Sequence, residues 1–150
     1  IGTGRRKRKD RGYEKNKKGA RINRDYDLTD IFAAGAIVST IEDMAKWDAA
    51  LYGEKILSVA SKEQMWTPTR LNNGTLKLYG LGWSVEPHNG HKNIGHSGST
   101  SGFSASFQRF PDHKLTVIVL CNSGESGVAT KLAKAVAELL LPAKVAVGGQ

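Results

Sequence analysis

The run Leu-Thr-Val-Ile-Val-Leu-Cys at 115–121 limits the fold more than any other stretch, since only Thr116 interrupts its apolar character. An unbroken aliphatic run of strand length reads as a strand covered on both faces, which requires a layered structure. Before it, Phe103, Ala105, Phe107 and Arg109 alternate with Ser104, Ser106, Gln108 and Phe110, the period of a second strand. Pro111-Asp112-His113 supplies the turn between the two. Residues 92–97 read as a third strand, and 76–86 as a further extended segment with Tyr79, Leu81 and Trp83 on one face.

Helices flank this meander. Ser39-Thr40-Ile41-Glu42 has the form of a capping box with Ser39 as the cap, and predicts a helix over 40–52 that buries Met44, Trp47 and Leu51. A second box, Ser61-Lys62-Glu63-Gln64, opens a short helix that Pro68 closes. Residues 128–141 form a closing helix with Leu132, Val136, Leu139 and Leu140 on its apolar side, ended by Pro142. Helices, then an antiparallel meander, then a closing helix give an α+β architecture. One closing helix covers one face of the meander. The other face needs the earlier helices, or residues that this chain does not contain.

The net charge of +8 suggests nucleic-acid binding until it is located. Residues 1–24 carry +9, through runs such as Arg5-Arg6-Lys7-Arg8-Lys9, while 25–150 sum to −1. So basic a segment, with Tyr13 its only aromatic, reads as solvated and mobile, and residues 12–31 as loop. The domain proper is expected over 25–142, and 143–150 as a frayed tail. Nucleic acid is therefore not the expected partner. Cys121 is the sole cysteine, which excludes an intrachain disulfide and a cysteine-based zinc site. His88, His91, His96 and His113 lack helical ligand spacing, so no metal or other cofactor is expected, and His88 and His91 fall in a turn where exposure is the default. No run approaches the roughly 20 apolar residues of a membrane span. The first residues do not form a signal peptide, and a start at Ile1 suggests that the natural product begins earlier.

The stretch Gly95-His96-Ser97-Gly98-Ser99-Thr100-Ser101-Gly102-Phe103 packs three glycines, four hydroxyls and a histidine into nine residues. Residues this small let a ligand or another backbone come close, as one wall of an active site requires, although a glycine-rich hairpin made only for turning has the same composition.

Several stretches together resemble the C-terminal half of the serine β-lactamase-like hydrolases, a family that includes class C β-lactamases, low-molecular-weight penicillin-binding proteins, D-amino-acid-specific peptidases and esterases. They are residues 33–47, Ala-Ala-Gly-Ala-Ile-Val-Ser-Thr-Ile-Glu-Asp-Met-Ala-Lys-Trp, then Tyr79-Gly80-Leu81-Gly82-Trp83, then Gly95-His96-Ser97-Gly98 with Gly102-Phe103. The resemblance implies the β-lactamase/transpeptidase-like fold and an ester or amide substrate, among them D-amino-acid peptides. It implies that His96 tunes protonation and anchors substrate polar groups. Ser97 would donate a hydrogen bond, Gly98 would let the ligand lie against the strand, and the Ser99 amide would be one of two oxyanion donors. A histidine where the β-lactamases carry lysine points to the peptidase and esterase branches. A periplasmic or secreted setting is compatible with the family, and the sequence itself sets no compartment.

The family's Ser-x-x-Lys and its Tyr-x-Asn or Ser-x-Asn do not occur in these 150 residues. A hydroxyl without an adjacent base is a poor nucleophile, so the spare serines do not substitute. The chain is thus expected to be a C-terminal portion, inactive alone, that self-associates or needs a missing N-terminal half. The alternative is a non-catalytic peptide- or protein-binding module on the same fold.

Overall fold

The computed structural model of the chain describes residues 11–24 and 31–142. A three-stranded antiparallel sheet organises it. Strands β1 (Gly12–Lys15) and β2 (Arg21–Arg24) form a hairpin, and β3 (Thr69–Arg70) and β4 (Leu76–Lys77) a short ribbon. The main sheet runs β5 (Ile94–Thr100), β6 (Phe103–Phe110), β7 (Leu115–Cys121), in sequence order. Helices α1 (Phe32–Gly35), α2 (Ile41–Tyr52) and α3 (Val59–Met65) precede the sheet, and α4 (Val128–Leu140) closes the chain. The α+β reading and the three-stranded meander stand.

The register fixes the two faces of the sheet. His96 opposes Phe107 and Phe107 opposes Ile118, while Gly98 opposes Ala105 and Ala105 opposes Leu120. Alternation then puts Ser97, Ser99, Phe110, Val117 and Val119 on the other face. That second face packs on α4 through a core of Phe110, Val117, Ala133 and Ala137, bordered by Leu115, Val119, Val136 and Leu141. The buried side of α4 is therefore Ala129, Ala133 and Ala137, and the expected leucine side is not: Leu132, Leu139 and Leu140 are exposed, Leu139 to 86%. Alanines let the helix sit close to the sheet.

Among the described residues the first face is covered chiefly at one end. Arg109, fully buried, donates through Nε to Asp48 of α2 at 2.6 Å, and Thr116 Oγ1 donates to the same oxygen at 3.0 Å. The Arg109 guanidinium also stacks on Tyr52 and Trp66, at 4.7 and 5.2 Å from the ring centroids. Towards the far end Leu120 is 43% exposed. The expectation that residues 115–121 are covered on both faces is thus met only in part.

Thr40, not Ser39, caps α2, accepting from the Asp43 amide. Ser58, not Ser61, caps α3, which places Ser61 inside the helix. Of the three residues expected to face inward from α2, Leu51 is buried, while Met44 is half-buried and Trp47 exposed. Residues 79–84 do not run straight. Gly82 takes φ +81 and the Gly80 amide donates to the Trp83 carbonyl, so the chain folds back, with Leu81 exposed and Trp83 against Phe107.

Residues 12–24, expected as loop, are a hairpin whose turn is closed by Asn16 Oδ1 accepting from the Lys18 and Ala20 amides. The basic run at 5–9 and the tail after Pro142 lie outside the described residues. His88 and His91, expected in solvent, are instead largely enclosed. His91 is buried, with its ring 2.9 Å from His113 and 3.1 Å from the Pro142 carbonyl, and His88 lies 3.1 Å from Glu138. Among the described residues no three His, Cys, Asp or Glu side chains form a group that could hold a metal ion. Cys121 is a half-buried free thiol.

Candidate active site

The glycine-rich stretch is the strand β5 and the turn that follows it. Gly95 exchanges two backbone hydrogen bonds with Ser84 across the edge of β5 away from β6, at 2.9 and 2.7 Å. In an antiparallel ladder, residues that direct both N–H and C=O to one edge recur every second position. Ser97 and Ser99 therefore aim their backbone groups outward along that same edge, beyond the point where Ser84 ends the pairing. Among the described residues no strand covers them there. The Ser99 N–H is thus available at a free strand edge.

Gly95 and Gly98 are open to very different degrees. A Cβ on Gly95 would lie 2.6 Å from Gln108 Oε1 and 2.7 Å from the Phe107 carbonyl, so the fold itself demands glycine. A Cβ on Gly98 would meet nothing within 4 Å, and its φ is not positive. Among the described residues neither packing nor backbone conformation requires glycine at 98.

A cavity of about 690 Å³ opens on this face. Its floor includes His96, Gly98, Thr100, Ala105 and Leu120, and its opposite wall Ile31, Ile37 and Val38 from the segment around α1. Ile37 and Val38 are exposed, at 90% and 61%, so the wall is apolar and open. The size is that of a small-molecule site, apolar with a few convergent polar groups.

Of the expected site residues, His96 and Gly98 share one face and line the cavity. Ser99 borders it too and Ser97 does not, although both project their side chains to the opposite face and both have their backbone at the free edge. Tyr79, in the sequence one member of an alternating set, brings its ring edge-on to the His96 imidazole, 6.2 Å between centroids. The fold-back at 79–84 brings it there. The Leu81 amide donates to the Met65 carbonyl, and a Cβ on Gly80 would collide with that same carbonyl. The Tyr-Gly-Leu-Gly-Trp glycines were the available signal, since two glycines in five residues mark a sharp bend.

The arrangement sets an imidazole on the sheet face beside a strand edge whose outward N–H groups no described strand covers. Such preorganised N–H groups stabilise the oxyanion of acyl transfer. The family model described as Beta-lactamase matches residues 3–141. The chain is 39% identical over 100 residues to penicillin-binding protein 4* of Bacillus subtilis (strain 168), which covers 65% of this chain and 22% of that protein. It is 30% identical over 101 residues to unguisins hydrolase ungD' of Aspergillus campestris (strain IBT 28561), covering 63% of this chain and 19% of that protein. The chain thus spans about a fifth of the length of these curated relatives.

Proposed function

The chain belongs to the β-lactamase family, and from that premise we propose that it forms one wall of a serine hydrolase site for an ester or amide, D-amino-acid peptides included. His96 anchors polar groups of the substrate, Gly98 lets it lie flat on β5, and the Ser99 amide is an oxyanion donor. Gly98 carries this reading. It lines the cavity, and nothing among the described residues explains the missing side chain, which suits a ligand laid against the strand. Relatives named as a penicillin-binding protein and as a hydrolase support the reading at the level of the family.

No Ser-x-x-Lys occurs in the 150 residues, so the attacking hydroxyl comes from a companion segment and the chain alone turns nothing over. The same absence favours a second reading, a binding module that keeps the wall without the chemistry. The test is the protein encoded by the extended upstream reading frame. An in-frame Ser-x-x-Lys and turnover of p-nitrophenyl butyrate, lost in His96→Ala, are expected. An upstream frame without that motif, or turnover indifferent to His96→Ala, overturns the hydrolase reading. Binding of a D-alanyl peptide without turnover would establish the module instead.

A further inference from the structure

The β1–β2 hairpin has no part in the reading above, yet it is sewn into the turn that ends β5. The Tyr13 amide lies 3.1 Å from the carbonyls of both Gly102 and Asn122, and the Gly124 amide donates to the Tyr13 carbonyl at 2.9 Å. Next to it, the Glu14 carboxylate accepts from the Gly102 amide, Oε1 to N 3.2 Å. One dipeptide thus grips the β5–β6 turn by its amide and its carbonyl, and grips the chain leaving β7 as well.

The approach is backbone on backbone. Gly102 takes φ +78, and a Cβ there would lie 2.5 Å from Gly12 Cα, while one on Gly124 would lie 2.8 Å from the Gly102 nitrogen. Three glycines make room for the contact. Lys15, 2.7 Å from Glu125, adds an ion pair that holds the Glu125 carboxyl below its ordinary range.

We propose that Glu14 is a positioning residue that braces the Gly102 amide and, through the turn, the direction of the Ser99 N–H. The inference rests on the reading of that N–H as an oxyanion donor. Ser99 lies at the end of an edge strand, held by β6 on one side and by no strand on the other among the described residues. An oxyanion donor must hold its position to within about half an ångström and its direction to within about 10–20°. A brace from outside the sheet supplies that, and a carboxylate acceptor makes the stronger, charge-assisted bond.

Amide hydrogen exchange and 1H–15N spectra of the 150-residue chain test this without any turnover, so they stand or fall apart from the hydrolase reading. In Glu14→Ala the Gly102 amide should exchange about tenfold faster, the loss of roughly one hydrogen bond. The Ser99 amide resonance should move with it, while Phe110 and Val117 keep their protection. Glu14→Gln retains an acceptor oxygen and should restore most of the effect. An unmoved Ser99 amide in Glu14→Ala, a uniform loss of protection across the sheet, or a Glu14→Gln variant as damaged as the alanine would each overturn the proposal.

Discussion

Gly95 and Gly98 lie on one strand three residues apart, and the sequence marks both only as small. Their surroundings separate them. Gly95→Ala forces a methyl against Gln108 Oε1 and the Phe107 carbonyl, and overpacking of this kind costs about 1–3 kcal/mol. Gly98→Ala meets open space and should leave the thermal midpoint of the chain unchanged, while weakening any ligand laid on β5. Melting curves of the two variants check the contrast, and equal losses would remove the argument for an outside partner at Gly98. Asp48 is the other residue whose weight is invisible in the sequence. It is the carboxylate of the buried Arg109, and breaking a buried pair from one side costs about 3–5 kcal/mol. Asp48→Ala should therefore melt far below the parent in denaturant titration. Arg109 read as one member of an alternating strand; nothing local told that its partner lies 61 residues away.

At the scale of elements, type was more legible than edges. Both capping boxes announce real helices, but each has a second hydroxyl able to cap, Thr40 inside the first box and Ser58 upstream of the second. Ser58 stands three residues before Ser61 and its oxygen accepts from the Ser61 amide, so the helix starts a turn earlier than the box suggests. The closing helix shows the opposite failure. Its leucines make the louder pattern, yet close packing on a sheet favours alanine, and the quieter period at 129, 133 and 137 is the buried one. The β1–β2 hairpin escaped because it is held by glycine backbone contacts and carries no apolar alternation. Junctions between elements were unreadable in the same way. Lys62 of α3 is buried and reaches back to the last carbonyls of α2, donating to Gly53 at 2.8 Å and Leu51 at 3.3 Å. A cation at a helix C-terminus satisfies carbonyls that the helix leaves free. Lys62→Met keeps the aliphatic stem and removes the donor, so it should cost about 1–3 kcal/mol, read by chemical denaturation. An unchanged midpoint would mean that water serves those carbonyls as well.

The whole molecule is where the order of elements and the surface disagree. The order of elements predicts the layers, but a strand as apolar as β7 asks for neighbours on its faces and edge, and the described residues supply few. Among the described residues its outer side meets the hairpin only beyond the strand, at the Tyr13–Ser123 bridge. Leu120 and the walls at Ile37 and Val38 leave the cavity face apolar, and Leu132, Leu139 and Leu140 do the same on the back of α4. An unpaired edge strand and contiguous exposed apolar surface both drive association. The isolated chain should therefore sediment as a concentration-dependent mixture. Leu120→Lys, which sets a charge on the open face without disturbing the α4 core, should shift that mixture towards monomer while keeping the melting temperature. A monodisperse parent with a cooperative melt would show instead that these 150 residues satisfy themselves. Adding the upstream segment should have the same effect as Leu120→Lys if the cavity face is where it docks, and the two together should not be additive, because the lysine would occupy the surface that the segment needs.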